Sequence, residues 1–110
     1  MENHKELIEK LNACVTACQR CADACLDETD MLTKMVPCIR LDRDCAEACQ
    51  TASNFLSRNS AYSDQLVSLC AELCAECAEE CEKHDTQHCK DCAKACRECE
   101  EACESVSAAS

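Results

Sequence analysis

Between Cys70 and Cys103 the chain carries nine cysteines, at positions 70, 74, 77, 81, 89, 92, 96, 99 and 103. The steps are 4, 3, 4 in the first run and 3, 4, 3, 4 in the second, with the break EKHDTQH between them. Alternating steps of three and four mark one face of an amphipathic α-helix. Here the face bears thiols where leucines would ordinarily stand. Two helices of this kind present columns of sulfur to a common core.

The first half of the chain follows the same rule. Leu7, Leu11, Cys14, Cys18, Cys21 and Cys25 form one seam, apolar for its first turns and thiol-bearing afterwards. Cys38, Leu41, Cys45, Cys49, Ala52 and Leu56 form another, and Leu66 leads into the seam that begins at Cys70. Asn3 followed by Glu6 resembles a capping box for the first helix. Pro37 suits the first turn of the second, where its missing N–H costs nothing. Asn59 or Ser60 can cap the third helix, and Asp85 or Thr86 the fourth. The pattern predicts helices over about 4–30, 37–57, 61–84 and 86–105, with the tail SVSAAS frayed. Cys21–Cys25, Cys45–Cys49 and Cys92–Cys96 share the form C-A-x-A-C, in which small alanines let neighbouring helices approach closely. Four helices with short connections predict an all-α, antiparallel up-down-up-down bundle over residues 1–110, with a cysteine-lined core.

Sixteen cysteines in 110 residues would suit a secreted disulfide scaffold, but such scaffolds are rich in loops. This chain has no glycine and one proline, a composition that favours long helices. MENHKELIEKLN lacks the features of a signal peptide, and no apolar run approaches a membrane span. The expectation is a cytoplasmic protein with reduced thiols and no membrane partner. A formal charge of -11 argues against nucleic-acid partners.

Thiols one helical turn apart have Cβ atoms about 5–6 Å apart, too far for a disulfide, which needs about 3.5–4.5 Å. A metal bridge can close the gap. Two metal–sulfur bonds laid end to end span about 4.6 Å. A linear, two-coordinate ion that prefers thiolates is Cu(I). Each Cu(I) replaces one thiol proton, so many can be buried without accumulating charge. Zinc in four-thiolate sites leaves surplus negative charge at every site. A zinc-sequestering or general thiol metal buffer is the nearest alternative. Iron–sulfur proteins often draw ligands from a loop run such as C-x₂-C-x₂-C, which is absent here, and di-iron bundles need inward Glu-x-x-His pairs, also absent. Neither a nucleophilic triad nor a phosphate-binding loop is present, so no enzymatic activity is expected.

The predicted metal ligands are Cys14, Cys18, Cys21, Cys25, Cys38, Cys45, Cys49, Cys70, Cys74, Cys77, Cys81, Cys89, Cys92, Cys96, Cys99 and Cys103. Connectivity gathers His84, His88, Met31 and Met35 at the end that holds the first and third connections. There they are candidates for handing metal inward. The alternatives are helix-end capping or solvent exposure for the histidines and ordinary packing for the methionines. The opposite end collects Leu7, Leu11, Phe55, Leu56, Leu66 and Val106 as a hydrophobic plug, with Tyr62 assigned there too. Arg40 and Asp44 fall outside the seam. Salt bridges within or between subunits are the expected role of Arg40, Arg43 and Asp44. Leu69 and Leu73 either flank the core or face another subunit.

Three segments carry a resemblance to a known family: Cys38-Ile39-Arg40-Leu41-Asp42-Arg43-Asp44-Cys45, Glu80-Cys81-Glu82-Lys83-His84-Asp85, and His88-Cys89 with Cys92-Ala93-Lys94-Ala95-Cys96. With them the chain resembles the bacterial copper storage proteins of the cytosolic branch, over nearly its whole length. The resemblance implies a homotetramer of bundles, a core filled by many Cu(I) ions paired mainly through C-x₃-C, and admission of copper at the histidine- or methionine-bearing end. A protein that donates or accepts copper would be a further partner. Leu7 and Leu11 stand where further thiols are expected in such a family, which implies a reduced capacity.

Overall fold

A computed structural model of the chain describes residues 3–109. Four helices run in order: α1 (Asn3–Cys25), α2 (Leu32–Ser57), α3 (Ser63–Cys81) and α4 (Gln87–Ala109), with a 3₁₀ turn at Thr29–Met31 before α2. No strand occurs among the described residues. The molecule is a rod of 46 × 20 × 18 Å. Each helix packs on its sequence neighbours, α1 and α4 pack on each other, and the diagonal pairs meet only through side chains across the core. Pairing runs in opposite directions on adjacent helices. Asn12 meets Ser53, Cys14 meets Cys45 and Cys21 meets Cys38, so α1 and α2 are antiparallel. No helix is long and apolar enough to cross a membrane among the described residues.

The alanines of the C-A-x-A-C repeats lie where helices approach. Ala22, Ala46 and Ala93 are all buried beside the thiol column. At the plugged end Leu7, Leu11, Leu56 and Val67 are buried, with Leu66 and Val106 packed against them. Burying each large aliphatic side chain stabilises the bundle by about 1.5–3 kcal/mol.

Several boundaries differ from the sequence expectation. Helix α1 ends at Cys25 rather than near residue 30, and α2 begins at Leu32 rather than at Pro37. Pro37 is therefore the sixth residue of α2. The carbonyl it leaves without an N–H donor is that of Thr33, whose residue is exposed, so water can satisfy it. Helix α3 starts at Ser63 with Tyr62 before it and no side-chain cap. Asn59 instead closes α2, adopting the left-handed conformation at φ 53°, which asparagine tolerates well. Ser60 then turns the chain, its hydroxyl accepting from the Tyr62 N–H and its carbonyl from the Ser63 N–H. Thr86 precedes α4, its carbonyl accepting from the Lys90 N–H at 3.1 Å, but its buried hydroxyl makes no hydrogen bond, so the expected side-chain cap is not formed. Helix α4 continues through Ala109, since the tail contains no helix breaker. The side chain of Asn3 lies outside the described residues, and its expected capping role with it.

Two core positions are also shifted. On α3 the seam is Ser63, Val67, Cys70, Cys74, Cys77 and Cys81, so Val67 is buried and Leu66 only partly so. Tyr62 is 65% exposed and contributes nothing to the plug, while Phe55 is half-buried under the Arg58 guanidinium, 4.6 Å from its ring centre.

Candidate metal centre

All sixteen cysteines are fully buried and all are free thiols. Within a helix, the sulfurs of Cys14 and Cys18, Cys21 and Cys25, and Cys45 and Cys49 lie 3.9 Å apart, and those of Cys92 and Cys96 lie 4.0 Å apart. Across helices they are as close or closer: Cys38 to Cys81 at 3.5 Å, Cys45 to Cys74 at 3.6 Å, and Cys18 to Cys92 at 3.7 Å. Cys14 Sγ lies within 3.9 Å of a sulfur on each other helix, Cys45, Cys74 and Cys96. Sequence spacing favoured pairs within a helix. The bundle brings inter-helix pairs into the same range, because an antiparallel four-helix core faces four columns towards one axis.

Four-thiol groups such as Cys14–Cys49–Cys74–Cys99 and Cys18–Cys77–Cys92–Cys96 have every sulfur within 4.8 Å of the others. The closest pairs, at 3.5–4.0 Å, fall short of the roughly 4.6 Å that a linear sulfur–metal–sulfur bridge requires by about 1.1 Å at most. A soft ion can thus bridge sulfurs along a helix or across to its neighbour with small side-chain rotations. Burial disfavours the charged form of a thiol. It is the leading cause that raises both Cys25 and Cys89 above the ordinary thiol range.

One carboxyl group interrupts the sulfur. Asp42 is fully buried. Its Oδ1 accepts from Cys77 at 3.1 Å and from Cys92 at 3.3 Å, and its Oδ2 from Cys38 at 3.7 Å. Burial, and then the charges of Cys92 and Cys38, push its carboxyl up to about 9. Sequence reasoning put Leu41 on this seam, and Leu41 is only partly buried. The signal was present in the spacing: Cys38, Asp42, Cys45 and Cys49 follow the 4, 3, 4 steps of every other column. Asp42 occupies the slot of a seventeenth thiol.

The histidines at the open end part company. His88, the second residue of α4, turns its Nδ1 towards sulfur, 3.5 Å from Cys21 and 3.6 Å from Cys89. With Cys21, Cys25 and Cys89 it forms a mixed group able to hold a metal ion. His84 lies beyond the end of α3 rather than on its seam, and its Nε2 pairs with Glu80 at 3.0 Å. Met35 is buried in the core, one turn before Cys38, whereas Met31 is 39% exposed in the 3₁₀ turn. The structure therefore brings His88 and Met35 to the sulfur column and leaves His84 and Met31 at its rim.

The family model for copper storage protein matches residues 1–108. The chain belongs to the copper storage protein family. A cytosolic member from Streptomyces lividans, solved with five coppers, superimposes with a TM-score of 0.92 at 40% identity, covering 97% of this chain and 93% of that one. The Cu(I)-bound copper storage protein BsCsp3 gives 0.91 at 39% identity over 96% of this chain and 98% of its own. The apo form of copper storage protein 3 from Bacillus subtilis gives 0.84 at 40% identity, over 92% and 95%. No curated protein sequence matches the chain. Family membership accounts for a core in which nearly every inward position is a thiol, an arrangement that packing alone would not select over leucine.

Arg40, Arg43 and Asp44 are exposed, as their place off the seam requires, and none forms an ion pair among the described residues. The ion pairs lie elsewhere on the surface, for example Arg97 with Glu82 and Glu100. Leu69 is 44% exposed, and Leu73 packs partly against the core.

Proposed function

We propose that the chain stores and sequesters Cu(I) in the cytosol, on thiolates that line the bundle core, without catalytic turnover. The observation that carries this is the close approach of buried sulfurs from all four helices, many at separations of 3.5–4.0 Å. In the proposed store all sixteen cysteines are ligands, and His88, together with the buried Met35, receives copper at the open end. His84 and Met31 stand at the rim as weaker first contacts. Each Cu(I) replaces one thiol proton and leaves the core neutral, which lets ions accumulate in a medium that penalises net charge. The cytosolic setting rests on the likeness to the Streptomyces lividans protein and on thiols that must remain reduced. A homotetramer and a protein that hands copper to the open end complete the proposal, both by family resemblance. The exposed Leu69 is a candidate subunit contact.

The decisive experiment is an anaerobic titration of the reduced protein with Cu(I) against a competing chelator. The expected capacity is on the order of one Cu(I) per thiolate. Saturation at one or two ions would defeat the reading. In a parallel competition at equal metal concentration, zinc should lose to Cu(I). Light scattering on the eluted protein tests the tetramer.

A further inference from the structure

Two carboxylate–histidine pairs sit at the open end, and they are built differently. Glu80 and His84 are four residues apart on one stretch of chain, and that ring partner is the carboxylate alone. Glu28 and His88 are 60 residues apart and join the α1–α2 connection to the start of α4, with His88 Nε2 3.3 Å from Glu28 Oε1. The other ring nitrogen of His88 is the one that faces Cys21 and Cys89.

Glu28 is mounted firmly. Its N–H donates to the Cys25 carbonyl at 3.1 Å, and its own carbonyl accepts from Met31 at 3.0 Å. The turn thus locks the backbone on both sides of the residue that reaches across the opening. A carboxylate can only accept hydrogen bonds, so in the neutral ring the hydrogen must sit on Nε2. Nδ1 is then left with its lone pair directed between two sulfurs. A histidine whose far nitrogen donates to a carboxylate is oriented and made a better metal donor.

Resting on the storage reading, we propose that Glu28 is a positioning residue for copper uptake, holding His88 in the Nε2–H form so that Nδ1 is presented to the gap between Cys21 and Cys89. Glu28 itself need not touch the ion. The ring would otherwise rotate about its side-chain bonds and share its hydrogen between both nitrogens, so that only a fraction of the molecules would offer a usable lone pair. Glu80 cannot substitute, because it holds a ring that lies past the end of α3.

The test combines ¹⁵N histidine NMR of the metal-free protein with stopped-flow Cu(I) transfer from a chelating donor. In the parent protein His88 should give one protonated and one lone-pair nitrogen signature, assigned to Nε2 and Nδ1. E28A should average these two signatures and slow the first uptake phase by about ten-fold, within the range for loss of such outer partners. E28Q keeps an accepting oxygen and should restore most of the rate. In an H88A background, E28A should cause no further slowing, and E28A and E28Q alone should keep the parent's final capacity. Wild-type uptake by E28A with an unaltered His88 spectrum overturns the proposal. So does E28Q as slow as E28A, which would assign the effect to attraction by the charge. The NMR arm needs no copper, so it reports on Glu28 even if the titration defeats storage.

Discussion

Helix α1 is two materials on one frame. Leu7 and Leu11 continue the same inward column as Cys14, Cys18, Cys21 and Cys25, and all six are buried to the same degree. The first two side chains end in hydrocarbon and hold the bundle shut. The last four end in a group able to exchange a proton for a soft ion. Period decides which way a side chain points, and the terminal atoms decide what the pointing is for. The fold and the store are thus separable along the length of one helix.

The sharpest way to break that separation is to remove one sulfur from each helix at the centre. C14A/C45A/C74A/C96A should fold as a bundle and lose about four Cu(I) from its capacity, one per thiolate, measured by anaerobic titration. An unchanged capacity would detach these sulfurs from the store. Next in size is the converse substitution in the plug. L11A should destabilise the metal-free protein by about 2–5 kcal/mol in urea unfolding while leaving the copper capacity intact.

Asp42 is neither material: it stands among the sulfurs of Cys38, Cys77 and Cys92 and adds a pH dependence of its own. Its folded pKa stands above the unfolded value, 3.8 against about 9, so between those limits the folded state holds the extra proton. Its contribution to stability is present in full below about pH 4 and declines as pH rises to about 9. Denaturant midpoints of the metal-free protein should fall across that window. D42N should flatten the profile and stabilise the protein near pH 8 by roughly 1–3 kcal/mol. A D42N profile parallel to the parent would sink this account. The smallest effect is expected outside the core altogether. R97A breaks exposed pairs with Glu82 and Glu100 and should move neither midpoint nor capacity beyond measurement error.

Most of this architecture was legible in the spacing of one residue type. Cysteines at alternating steps of three and four marked the four helices and all sixteen inward sulfurs, because a helical period survives any choice of apolar side chain. The failures share a cause. Leu41 looks more like core than Asp42, and Leu66 is as apolar as Val67, so only the helical register separates them. Register was right. The connection after Cys25 was misjudged because a helix without glycine or proline has no written stop, and Pro37 can sit within a first exposed stretch. The division between His84 and His88 was hidden because it depends on where α3 ends and on Glu28, far away in sequence.

The plug at Leu7, Leu11, Leu56 and Val67 also sets the order of traffic in the proposed store. A vessel with one mouth is a stack. In that store ions admitted first would travel deepest, towards Cys103 and Cys70, and would leave only after those above them. Copper near His88 would turn over quickly, while the copper beside the leucines would be the oldest in the molecule. Pulse-labelling with one copper isotope and chasing with another would show that age gradient directly.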